Sequence, residues 1–149
     1  MFDKRRPATP AELAPLLANF EDVVGAPDLS EAEVSEVATL DELAAMHTVL
    51  AIPDPPAGGD SYYTVAENER SWAASGGSAH DQESYGRAIV QAADPAFAPP
   101  LLFAPTSFTS SGWWMVDGIH RAAALLTTRR AAGVTAIDLR VFVLPRPLT

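Results

Sequence analysis

The sequence predicts a small α+β domain, a mixed sheet with helices packed against it. Three observations carry that expectation. Val34 to Thr39 alternates apolar and polar residues, the two-residue period of a half-buried strand. Trp113 to Val116 is an apolar run too short for a helix and rich in strand formers. Directly behind it, Ile119, Ala122, Ala123 and Leu126 recur at the spacing that places them on one helical face.

In chain order, Thr9-Pro10-Ala11-Glu12 has the form of a capping box with proline at the first helical position. Leu13, Leu16, Leu17 and Phe20 share one side of the helix it opens, and Gly25 to Asp28 breaks that helix. Residues 1–30 therefore read as an N-terminal helical extension ahead of a domain over 31–149. Ser30 to Glu33 would open a second helix by the same capping logic, but the alternation from Val34 favours a strand. Thr39-Leu40-Asp41-Glu42 then starts a short helix through His47. Thr48 to Ile52 is a second apolar run, stopped by Pro53-Asp54-Pro55-Pro56.

Residues 51–84 read as a long loop insertion, with Pro53 to Asp60 rich in proline and glycine and Ser75 to Ser78 a hinge. Ser61 to Ala66 would be a strand or an extended arm within it. Such a loop has two readings. It is a lid that brings Glu67, Glu69 or Arg70 to a site, with Glu67 or Glu69 as a base. Otherwise it is a solvated insertion whose Tyr62, Tyr63 and Trp72 pack onto the core, the plainer reading for each residue taken singly. Tyr85 to Ala92 fits a helix closed by Asp94-Pro95. Leu101 to Ala104 and Ile137 to Leu144 supply further strands, and Phe108 to Gly112 a turn. The helix from Ile119 carries Arg129 and Arg130 in its last turn and ends with Gly133 as its C′ residue.

Chemistry concentrates at Asp117-Gly118-Ile119-His120-Arg121. Gly118 permits a backbone conformation that a Cβ resists, and the helix behind it presents unpaired N–H groups and partial positive charge. That arrangement suits phosphate, bound by Gly118, Ile119, His120 and Arg121. Asp117 stands where it would cap the helix or hold a metal bound to the anion. His120 is a candidate acid or base. The plain alternative makes Asp117 only an N-cap and Arg121 a solvated surface charge.

Val116 to Ala124 resembles the "DGxHRxxA" signature of the ParB/sulfiredoxin-like superfamily. Pro99 to Ala104 is similar to the "PPILV" strand that precedes this signature, and Gly133 to Val141 to the strand that follows it. The opening stretch Val34 to Leu43 is similar to the family's first strand and helix. The resemblance implies that fold and an ATP or other nucleoside triphosphate site with Mg²⁺. It further implies phosphoryl transfer to a small hydroxyl metabolite, as in the free-serine kinases with their similar "DGHTR" stretch. Asp117 would hold Mg²⁺ or orient the acceptor. A catalytically silent nucleotide-binding or regulatory module is the alternative, and a DNA-related, nuclease-like or partition role is a third. The chain departs from the pattern in two places. It has no cysteine, which excludes sulfiredoxin chemistry, and it shows no arginine-rich CTP motif or helix-turn-helix segment of the ParB type.

Composition narrows the classes further. The absence of cysteine removes disulfides, thiolate catalysis and cysteine metal sites. A net charge of −9 opposes nucleic acid and acidic membranes as partners. No apolar stretch approaches the roughly 20 residues that span a bilayer. Met1 to Arg6 has charge without an apolar run behind it, so a cytoplasmic protein without a secretory signal is expected. No zinc-ligand spacing, Walker loop or dinucleotide fingerprint occurs. His47 and His80 stand alone in the sequence and read as structural or solvent-facing. Ser107, Ser110 and Ser111 lack a G-x-S-x-G context, so a hydrolase triad has no support in spacing.

Overall fold

Hydroxyl side chains mark where four helices begin. Thr9, Thr39, Thr64 and Ser78 each accept a hydrogen bond from a backbone N–H in the first turn behind them. These caps open α1 (Pro10–Asn19), α2 (Leu40–Ala44), α3 (Val65–Ala73) and α4 (Ala79–Ala92) in a computed structural model that describes residues 2–148. The fifth helix, α5 (Ile119–Ala131), begins at Gly118. Seven strands join one mixed sheet: β1 (Arg6–Pro7), β2 (Glu33–Thr39), β3 (His47–Ala51), β4 (Tyr62–Thr64), β5 (Leu102–Pro105), β6 (Trp113–Asp117) and β7 (Ala136–Val143). Their order is β1-β2-β7-β5-β6-β3-β4. The α+β class is thus observed.

Side-chain alternation divides the core between the two faces of the sheet. Leu101, Phe103, Met115, Val141 and Val143 point to one face, where they meet Leu43, Val65, Leu125 and Leu126 from the helices. Leu102, Ala104, Phe142 and Val34 point to the other and meet Leu16 of α1. The central strand β5 is covered on both faces, which is why Leu101 to Ala104 reads as an unbroken apolar run. A third cluster joins α3, α4 and α5 through Trp72, Tyr85, Ala88, Ala92, Ala123 and Ala124. Its alanines let α4 lie close against α5.

Three expectations need correction. Residues 51–84 are not a single long loop: β4 and α3 lie within them, and α4 begins at Ala79 rather than Tyr85. The cause is local. Thr64 with Glu67, and Ser78 with Asp81, form capping boxes as complete as the one at Thr9. The short helix after Thr39 stops at Ala44, and His47 starts a strand instead. Of the extension expected over 1–30, residues 2–30 do not stand apart from the domain. β1 pairs with β2, Phe2 sits in the main core beside Phe103 and Trp113, and Leu16 is fully buried.

Candidate functional site at the start of helix α5

Gly118 ends β6 and starts α5 with φ of +92°, in the left-handed region. A Cβ there would stand 2.4 Å from Leu101 Cδ2 and 3.1 Å from the Pro100 carbonyl oxygen. Only glycine satisfies both the backbone angle and this close approach. The first helical bond runs from the Ala122 N–H to the Gly118 oxygen at 2.8 Å. The N–H groups of Ile119, His120 and Arg121 therefore have no partner within the helix. The other four helices have a side-chain cap and an acidic residue in the first turn, whereas α5 has neither. Its positive end is left for another anion.

Asp117 does not cap α5. Its carboxylate instead accepts from Arg121 Nη2 at 3.2 Å and from Asn19 Nδ2 at 3.1 Å. The expected N-cap role is thus replaced by a clamp between the end of α1 and the start of α5. The Arg121–Asp117 pair is about three-quarters buried on both sides, and an arriving phosphate would share Arg121 with Asp117. Among the described residues no group of three His, Asp or Glu side chains converges as a metal site. Asp117 offers one carboxylate here, with Oδ2 already taken by Arg121 and Asn19.

His120 sits deeper in structure than its sequence position implies. Its Nε2 lies 2.9 Å from Asp81 Oδ1, and its ring stacks on Trp72 with centroids 4.5 Å apart. His80 meets it edge-on at 5.9 Å. Asp81 is also the capping-box partner of Ser78 at the start of α4, taking the Ser78 N–H on its other oxygen at 3.1 Å. The starts of α4 and α5 thus meet through one carboxylate–imidazole contact. Burial pushes the Asp81 carboxyl up, but the His120 contact and the Ser78 bonds outweigh it and hold Asp81 below the ordinary carboxylate range.

A pH prediction follows from that direction. A carboxyl lowered in the folded state contributes stability above its unfolded value of about 4 and loses it as pH falls. The stability gap between the parent and Asp81→Asn is expected to shrink as pH drops from about 5 to 3. Urea titrations at stepped pH check it, and a gap that widens on acidification would reverse the sign.

The two glutamates expected at this site lie elsewhere. Glu67 accepts the Thr64 N–H at 3.0 Å, as the capping partner at the start of α3. Glu69 accepts from the Thr127 hydroxyl at 2.8 Å and faces Arg130 at 3.5 Å. Thr127 is two turns along α5 from His120, about 10 Å of helix rise. Val65, Asn68 and Trp72 pack α3 against the domain and hold both glutamates in these positions. Nor are the other histidines isolated, since His80 touches His120 and His47 bonds to Ser111 and Asp60. Asp81 and Trp72 are the site residues that spacing did not reveal. The Ser78-to-Asp81 capping pattern is the signal that would have placed Asp81 at a helix start.

A groove of about 790 Å³ lies at the opposite end of α5, lined by Phe97, Leu125, Val134, Ile137 and Leu139. Its one cation, Arg129, already donates to the carbonyls of Ala92, Asp94, Pro95 and Phe97. Asp138 and Thr128 also line the groove, whereas the start of α5 combines a carboxylate, an imidazole and a guanidinium with unpaired helix N–H groups. Compared with known proteins, the chain matches no family model, no curated protein and no solved structure.

Proposed function

We propose that this protein binds a nucleoside triphosphate at the start of α5 and transfers its terminal phosphoryl group to a small hydroxyl metabolite. The observation that carries the reading is the uncapped α5 start, with His120 and Arg121 in its first turn. The N–H groups of Ile119, His120 and Arg121 would take phosphate oxygens, and the Arg121 guanidinium would add a charge-assisted bond. Mg²⁺, held through Asp117 and the phosphates, would neutralise charge on the transferring group. His120, oriented by Asp81, replaces Glu67 and Glu69 as the proton acceptor for the attacking hydroxyl. Such transfer depends mainly on positioning and charge stabilisation, which an ordered helix start supplies. The transfer step and the ATP preference rest on the ParB/sulfiredoxin-like resemblance, and a cytoplasmic location belongs to the same proposal.

The engagement of Glu67 and Glu69 in structural bonds favours a second reading, a nucleotide-binding module without catalysis. The two separate in a screen of serine, threonine and related alcohols as acceptors. Phosphorylated product supports the enzyme, and nucleotide binding without product supports the module.

Arg121→Ala tests the site itself. Loss of a charge-assisted contact worth about 1.5–3 kcal/mol should weaken ATP or CTP affinity roughly ten- to a hundredfold. The variant should still fold, because Arg121 is partly exposed at a helix end. Calorimetry that shows unchanged affinity in the folded variant would remove Arg121 from the phosphate site. Duplex DNA is not an expected partner, given the charge of −9. A gel shift with salt-dependent, submicromolar binding would promote the DNA-related reading. Among the described residues, no helix is long and apolar enough to cross a membrane.

A further inference from the structure

His47, Asp60 and Ser111 come from three separated stretches and meet at the end of β6 remote from Gly118. His47 opens β3, Asp60 lies just ahead of β4, and Ser111 is in the turn between β5 and β6. His47 is 7% exposed. Its Nε2 is 3.1 Å from Asp60 Oδ2, and its Nδ1 is 3.1 Å from Ser111 Oγ. Asp60 is fixed in turn by the Ser110 N–H and the Ser110 hydroxyl, each at 2.8 Å. Those bonds, the N–H first, hold its carboxyl below the ordinary range, so it stays ionised at neutral pH.

An ionised carboxylate against Nε2 places the imidazole proton there and turns the Nδ1 lone pair toward Ser111. Ser111 has one proton to give and three neighbours within reach: His47 Nδ1, the Trp113 carbonyl at 3.0 Å and Thr109 Oγ1 at 3.3 Å. The Trp113 carbonyl accepts from the Thr109 hydroxyl at 2.8 Å and has a second lone pair within reach of Ser111, whose Oγ also accepts the Trp113 N–H at 3.3 Å. Among the described residues His47 Nδ1 has no second hydrogen-bond partner, so Ser111 is the donor available to it. The two imidazole nitrogens exchange their customary partners, but carboxylate, base and hydroxyl stand in the relation that nucleophilic catalysis requires.

An aromatic cluster adjoins these stretches in the chain, with Tyr62 at the start of β4, Phe108 in the turn and Trp114 in β6. The Tyr62 and Phe108 rings lie 5.1 Å and 5.5 Å from Trp114, and Phe108 is 62% exposed. The rings are tilted or edge-on to one another, at 82° for Tyr62 and 47° for Phe108 against Trp114. The exposed Phe108, in the turn that carries Ser111, offers apolar contact to an ester with an aromatic group.

We propose that Ser111 is a nucleophile activated by His47 and Asp60, and that this second site hydrolyses small aryl carboxylic esters. Ser111 Oγ would bond to the ester carbonyl carbon while its proton passes to His47 Nδ1. The carbon–oxygen bond to the leaving alcohol then breaks, and that alcohol takes the proton from Nδ1. Water, deprotonated by the same nitrogen, attacks the acyl-serine and releases the acid, which restores Ser111. The site is independent of the nucleotide reading, because the length of β6, about 17 Å, separates the two.

The test treats the full chain with an aryl-tagged fluorophosphonate and with p-nitrophenyl acetate. Peptide mapping should find the tag on Ser111. His47→Gln and Ser111→Ala should each cut labelling and ester turnover at least a hundredfold. Ser107→Ala, in the same turn but outside the cluster, should label as the parent does. Absence of the tag from Ser111, or parental labelling in a folded His47→Gln variant, would overturn the proposal and leave the cluster as a pin between two loops.

Discussion

Gly118→Val is expected to destabilise the protein by about 2–6 kcal/mol, from a positive-φ penalty of about 1–3 and overpacking of a similar size. The new Cβ would meet Leu101 Cδ2 at 2.4 Å, and Leu101 is fully buried, so it has nowhere to retreat. On the other side stands the Pro100 carbonyl, which is backbone and cannot turn away. A loss of that size is a large share of the 5–15 kcal/mol that holds a typical domain together, and it should lower the melting temperature by roughly 10 °C. Nucleotide affinity should fall with it, since the α5 N–H groups are positioned by this residue. Gly118→Ala separates the contributions, because it keeps the backbone penalty and most of the clash but adds no β-branch. Urea unfolding and a thermal melt decide the matter. A valine variant as stable as the parent would mean that the turn relaxes freely.

Trp72→Ala is expected to cost about 3–5 kcal/mol, the usual range for removing a buried tryptophan. Trp72 is 3% exposed and fills the space between α3, α4 and α5. Its ring stacks on His120, lies 6.1 Å from Tyr85, and is approached by Gly77, where a Cβ would come within 2.7 Å of Nε1. The cavity left by alanine would therefore also free the His120 ring, and ligand affinity should drop beyond what stability alone explains. Trp72→Phe keeps a stacking face, so it should retain more affinity and most of the stability. Trp113 and Trp114 remain as fluorescent reporters in both variants, so denaturant midpoints remain measurable. Equal affinity in the alanine and phenylalanine variants would remove Trp72 from the site and leave it as core.

The elements that were legible in the sequence are those whose pattern is local. Leu101 to Ala104 and Trp113 to Val116 read as strands because both faces are covered, and Gly118 and Gly133 bracket α5 because each has a positive φ. Helix α3 was hidden by its own composition. Its inward face is Val65, Asn68 and Trp72, and the middle member is polar because Asn68 donates to Thr48 Oγ1 at 3.2 Å. With a proline- and glycine-rich stretch before it and Ser75-Gly76-Gly77 after it, the segment looked like loop throughout. The signature's own residues, Asp117 to Arg121, stood out in sequence because they are consecutive. Their partners did not, because Asp81 lies 39 residues away from His120 and Asn19 lies 98 from Asp117. The His47–Ser111 contact spans 64 residues, and no spacing rule reaches that far.

The most direct measurement is an amide NMR titration of the parent protein with ATP, CTP and inorganic triphosphate, each with and without Mg²⁺. The anion is held to sit on the N–H groups of Ile119, His120 and Arg121. Those three amides should therefore show the largest, saturable shifts with every triphosphate, with smaller changes at Trp72 and Asp81. Saturable shifts confined to the groove beside Phe97 and Val134, or no shift at any triphosphate concentration that leaves the protein folded, would contradict an anion site at the start of α5.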